Sequence, residues 1–83
     1  MKLLYFAWVR DRIGIAEEDV APPAEIATVA DLVAWLAQRS AGHAAAFAEP
    51  GRLRAAIDQS FVPMDASVVG AHEVAIFPPV TGG

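Results

Sequence analysis

The sequence predicts an α+β domain: a mixed sheet of about five strands carrying one main helix. Three observations predict it. A capped amphipathic helix falls over residues 29–39, strand-like runs lie before and after it, and 83 residues leave room for one core. A chain of this size buries only about 60% of the surface its unfolded form exposes. It can fold alone, with little space for a deep pocket as well. Hydrophobic residues are 55% of the chain and charged residues 19%, which is the balance of a packed domain rather than a disordered one.

Residues 2–9, Lys-Leu-Leu-Tyr-Phe-Ala-Trp-Val, read as a first strand rich in aromatic and aliphatic side chains. Residues 10–14 read as a charged turn, with a short helical start as an alternative. Residues 15–21 follow as a second strand, with Ile15 and Val20 apolar and Glu17, Glu18 and Asp19 solvated. Pro22-Pro23 ends it, because proline donates nothing to a strand ladder. Thr28 is a good N-cap with Asp31 three positions on. Val29, Leu32, Val33 and Leu36 then share one helix face, and Gly42 is the expected terminator. Residues 43–48 suggest one more short helical turn. Strands are expected over 53–58, over 60–63 as a short edge strand, and over 73–77, with a loop over 65–71. The order β-β-α-β-β-β suits a β-grasp, or ubiquitin-like, fold. Residues 1–77 make the domain, and residues 78–83 an extended C-terminal tail.

Side chains alternate across a strand. In the first strand Leu3, Tyr5, Ala7 and Val9 share one face and Leu4, Phe6 and Trp8 the other. In the last, Val74 and Ile76 oppose Ala75 and Phe77. Both faces are apolar and one helix covers only one of them. An aromatic patch of Phe6, Phe61 and Phe77 is therefore expected on the helix-free face. Such a patch is either an interaction surface or a second small core under loops.

Several chemistries are excluded or disfavoured. With no cysteine the chain forms no disulfide, thiolate nucleophile, persulfide or cysteine-ligated zinc site. A net charge of −4 argues against a nucleic-acid partner, which wants a basic stripe, and fits partner proteins with basic docking surfaces. No apolar run approaches the roughly 18 residues of a membrane span, and the N-terminus lacks the form of a secretory signal. The expectation is a cytoplasmic protein without a membrane partner. His43 and His72 have no companions at metal-ligand spacing and read as surface or turn histidines, so no metal is expected. No phosphate-cradling loop is present, so no cofactor is expected on this chain and any ATP binds elsewhere. Trp35 reads as packing, and Arg52 and Arg54 alternate on a strand.

The chain ends Phe77-Pro78-Pro79-Val80-Thr81-Gly82-Gly83. Two prolines stop the ladder and favour an extended path. At about 3.3 Å per residue, the tail from Pro78 spans about 20 Å. Glycine has no side chain, so Gly82-Gly83 suits a narrow channel in another protein. A carboxylate becomes a useful electrophile once joined to a nucleotide phosphate as a mixed anhydride. Without cysteine, the place left for a transferable sulfur is a thiocarboxylate on Gly83. The alternative is a frayed end without function, the usual state of termini.

These residues resemble a known family. Residues 77–83, the approach Val69-Gly70-Ala71-His72-Glu73-Val74-Ala75-Ile76, and the start Leu4-Tyr5-Phe6-Ala7 followed by Val9-Arg10 are similar to the small subunits of molybdopterin synthase, which are ubiquitin-like sulfur carriers. The resemblance spans nearly the whole chain. It departs at His72, where members often carry aspartate, and in the alanine-rich residues 41–48. It implies a β-grasp fold and an E1-like, ATP-dependent enzyme that adenylates the terminal glycine. A sulfur donor protein then supplies the thiocarboxylate sulfur. The tail enters a large synthase subunit, in a heterotetramer, to build the dithiolene of molybdopterin. Carried over, Gly83 is the sulfur carrier and Gly82 its threading neighbour. Thr81, Val80, Pro79 and Pro78 belong to the docking tail. Phe6, Phe61 and Phe77 match apolar docking positions, and Arg10 matches an arginine near the partner surface. A carrier for another pathway such as thiamine or amino-acid biosynthesis, a ubiquitin-like modifier of lysines, and a plain interaction module remain alternatives.

Overall fold

Alternation in the first strand, Lys2–Tyr5 (β1), sends Leu3 and Tyr5 into the core and leaves Leu4 on the opposite side. The computed structural model describes residues 1–79. The tail positions Val80, Thr81, Gly82 and Gly83 lie outside the described residues. The other strands are Glu17–Asp19 (β2), Arg54–Ile57 (β3), Ser60–Val62 (β4) and Glu73–Phe77 (β5), in the sheet order β2-β1-β5-β3-β4. β1 and β5 are parallel, and the remaining pairs antiparallel. The result is an α+β, β-grasp sheet with β4 at an edge.

The first strand is shorter than expected. After Phe6 the backbone of Ala7 turns to φ 53°, and residues Ala7–Ile13 form a helix (α1). Val9 is buried from this helix, not from a strand, and Trp8 packs at the core margin. The apolar run 2–9 disguises the switch from a period of two to a helical one. Val9 and Ile13 are spaced i, i+4, and Gly14 closes the helix at φ 96° with its N–H on the Arg10 carbonyl, 2.8 Å away. The second strand is likewise cut to three residues: Val20 is buried, but Ile15 stays exposed.

The main helix is Val29–Leu36 (α2), three residues shorter than expected at its C-terminus. Its start is as read: the Thr28 hydroxyl accepts the Asp31 N–H at 3.1 Å, and the Asp31 carboxylate accepts the Thr28 N–H at 3.2 Å. Val29, Leu32, Val33 and Leu36 are all buried. Gly42 does not terminate this helix. It lies inside a further helix, Ala41–Ala46 (α3), where an added Cβ would fall 2.6 Å from the Arg12 carbonyl oxygen. Glycine there lets α1 and α3 approach closely. Residues Pro50–Arg52 form a 3₁₀ turn, so Arg52 lies off the strand on which it was expected, while Arg54 begins β3.

Two polar readings are corrected here. His43 is buried in α3, and Glu18 is half-buried rather than solvated. The His43 ring lies 2.6 Å through Nε2 from Glu18 Oε2 and 2.7 Å through Nδ1 from Ser40 Oγ. The Tyr5 hydroxyl donates to the same Glu18 oxygen at 2.7 Å, and Arg39 reaches the other at 3.3 Å. With a proton on Nε2 the ring donates to Glu18, and the Ser40 hydroxyl that pairs with Nδ1 also accepts the His43 N–H. This clasp fastens α3 to β1 and β2. Burial opposes ionisation of Glu18, but the hydrogen bonds from His43 and Tyr5 and the charges of His43 and Arg39 outweigh it, holding the carboxyl below its ordinary value. Burial, reinforced by Glu18, pushes the Tyr5 hydroxyl far up, so it remains a donor.

Candidate functional site

The helices cover one side of the sheet, and the site lies on the other. Sheet register builds its floor. Leu4 on β1 is opposite Ala75 on β5, Ala75 is opposite Ala56 on β3, and Ala56 is opposite Phe61 on β4. One row therefore crosses four strands with two alanines at its middle. Short side chains in the centre and long ones at the flanks make the surface concave. Phe6, Ala7, Gln59, Phe77, Pro78 and Pro79 complete the groove.

The structure brings the three predicted phenylalanines to this one groove. Phe61 is 81% exposed and Phe6 47% exposed, while Phe77 is half-buried. The Phe61 and Phe77 rings lie 5.7 Å apart between centroids, tilted by 49°, a spacing typical of attractive aromatic pairs. Pro78 and Pro79 continue from β5 along the groove wall. Pro79, the last described residue, therefore lies in the same groove as the exposed aromatics. Arg10 is exposed on α1, one turn past Phe6, and sits 3.6 Å from Asp11. Trp8, which alternation grouped with Leu4 and Phe6, is not part of the groove; it packs under Arg12, whose guanidinium carbon is 4.3 Å from the ring centroid.

Alternation found Leu4, Phe6, Ala75 and Phe77 but missed Ala7, Ala56 and Gln59. Ala7 escaped because its backbone leaves the strand. Gln59 belongs to the two-residue turn of the β3–β4 hairpin, where Asp58 and Gln59 both take positive φ, 47° and 73°. That is the backbone of the tight turns that join twisted hairpins. The Asp58 carboxylate accepts the N–H groups of His72 and Glu73 at 3.2 and 3.0 Å. It ties the hairpin to the start of β5 and fixes the groove's far end.

Chemically the groove can bury apolar side chains. Its described residues present no nucleophile, and its only carboxylate is Glu73 at one end. Its chemistry suits docking rather than catalysis, and it lies at the root of the C-terminal tail.

The sequence and the fold are both similar to those of known proteins. The ThiS family model matches residues 3–83. The chain is 42% identical over its full length to the molybdopterin synthase sulfur carrier subunit of Escherichia coli (strain K12), covering 99% of that protein. It is 36% identical, with the same coverage, to the protein of that name from Haemophilus influenzae. Among solved structures it resembles the putative molybdopterin converting factor, subunit 1, from Pyrococcus furiosus, with a TM-score of 0.71, 28% identity and 95% of each chain covered. SAMP1 from Haloferax volcanii shares the fold, with a TM-score of 0.70, 22% identity, and 100% and 98% of the two chains covered. With the family model matched across nearly its whole length, the chain belongs to the ThiS family.

Proposed function

We propose that this chain is the sulfur carrier subunit of a molybdopterin synthase, acting in the cytoplasm beside a large catalytic subunit. The observation that carries the reading is the full-length 42% identity to a protein of that name, on a chain that ends in Gly82-Gly83 and has no cysteine.

The chemistry follows from the terminal carboxylate. A Gly83 carboxylate oxygen attacks the α-phosphorus of ATP on an E1-like enzyme, and pyrophosphate leaves. The acyl adenylate is then attacked by a persulfide sulfur of a donor protein, and AMP leaves. Reductive cleavage of the resulting acyl disulfide by a thiol of the sulfur-transfer machinery leaves the thiocarboxylate on Gly83. Each partner needs to hold the same domain while reaching the same terminus. The groove of Leu4, Phe6, Phe61, Ala75 and Phe77 supplies the grip, and the residues from Pro78 onward supply the reach. In the synthase the thiocarboxylate sulfur passes to a pterin precursor within the large subunit.

Deletion of Gly83 tests the proposal. The shortened chain is expected to keep its circular dichroism spectrum and thermal midpoint and to lose all molybdopterin synthesis in a reconstituted system. Activity retained without Gly83 would exclude a carrier of any kind.

A further inference from the structure

Charge on this protein is segregated along the strand direction. β1 and β5 run parallel and finish together, Tyr5 beside Ile76, and β3 starts at the same end with Arg54 opposite Phe77. Four of the six cationic side chains lie at that end: Arg10 and Arg12 on α1, and Arg52 and Arg54 at the entry to β3. Among the described residues, Asp11 and Glu49 offset them, in exposed pairs at 3.6 and 3.8 Å. The opposite end holds Asp19, Asp58 and Glu73, with Asp31 on the start of α2. The two remaining cations are engaged there or midway, Lys2 with Glu17 at 3.2 Å and Arg39 with Glu18 at 3.3 Å. A chain of net charge −4 thus presents a basic end where the tail departs.

The basic end is also preorganised. Arg12 stacks on one side of Trp8 at 4.3 Å and Arg52 approaches the same ring at 5.8 Å. The Arg54 guanidinium is held by the carbonyls of Gly51 and Leu53 at 3.2 and 2.8 Å, and its side chain borders Phe61 and Phe77. Arginines anchored through a ring or backbone lose little freedom on pairing, and their planar forks match carboxylates.

We infer that Arg12, Arg52 and Arg54 form a basic collar around the root of the tail, and that the partner receiving the tail carries aspartate and glutamate side chains around its entrance. The inference rests on the carrier reading for the partner's identity. Complementary charge of this kind speeds and orients encounter rather than adding much affinity. The collar orients the domain tail-first. The acidic far end disfavours the reverse approach to the same acidic rim.

The test follows association of the full-length chain with the large synthase subunit from the same genome. Raising salt from about 10 mM to about 1 M shortens the screening length from about 30 to about 3 Å. The wild-type association rate is expected to fall at least about tenfold over that range. The variant R12Q/R52Q/R54Q is expected to lose most of that dependence with little change in dissociation, while E25Q/D65N keeps it. A rate independent of salt, or an unchanged salt dependence in the triple variant, overturns the inference. A second arm needs neither variant nor subunit. Deca-glutamate peptide titrated into the ¹⁵N-labelled wild-type chain is expected to shift amide signals of α1 and residues 50–54, reversibly with salt. Absence of shifts there, equal shifts with deca-lysine, or a response to single-stranded DNA but not to the glutamate peptide also overturns it. If the wild-type chain ignores the large subunit yet shows the peptide shifts, the carrier reading fails and the collar stands.

Discussion

Two residues show opposite ways in which a side chain matters here. Phe61 is large, apolar and almost fully exposed, so it contributes little to the fold it sits on. Phe61→Ala is expected to change stability by no more than about 0.5 kcal/mol in urea unfolding while weakening binding of the large subunit. A much larger loss of stability would make Phe61 part of a core. Gly42 is the reverse case. It touches no groove, yet a methyl group there meets backbone oxygens of Arg12 and Ile13 at 2.6 and 3.1 Å, and backbone yields less readily than a side-chain end. Gly42→Ala is expected to destabilise the domain by about 1–3 kcal/mol, read from the urea midpoint. Little or no change would show that α1 and α3 separate easily.

Among the elements, α3 depends most on one polar contact. It is six residues long, too short to persist alone, and the Glu18–His43–Ser40 chain pins it to the sheet. Because the folded protein holds the Glu18 carboxyl below its ordinary 4.5, the unfolded chain takes up that proton first as pH falls. The clasp's contribution is therefore complete above about pH 5 and is lost as pH drops through the folded value. Glu18→Gln is expected to lower stability at neutral pH and flatten the acid limb below pH 4.5, measured by unfolding at a series of pH values. An acid limb identical to wild type would place the acid sensitivity elsewhere.

The elements also show what the sequence discloses and what it conceals. The α2 start, the last strand and the edge strand were legible because each rests on local chemistry: a capping pair, alternation and a proline stop. The Ala7 break was hidden inside an apolar run, since aromatic and aliphatic residues there serve a strand and a helix equally. Glu18 and His43 lie 25 positions apart, and no local pattern announces a contact between them. The aromatic groove was legible because its phenylalanines follow strand alternation. Its alanine floor was not, because Ala56 and Ala75 matter only through cross-strand register.

For the whole molecule, the proposed function makes the domain a handle and the terminus the working part. The sheet face at the root of the tail offers apolar grip, the collar beside it offers charge, and neither supplies a reactive group. On the proposed function, activity belongs to partners that bind this handle in turn. The central claim is that sulfur is carried on Gly83. Intact-mass spectrometry of the chain purified from its own cells tests it most directly. The account predicts a fraction whose mass reflects replacement of one terminal oxygen by sulfur, mapped by fragmentation to Gly83 and absent when the activating enzyme is deleted. A terminus that is only carboxylate in cells making molybdopterin, or a chain found joined through Gly83 to lysines instead, would contradict it.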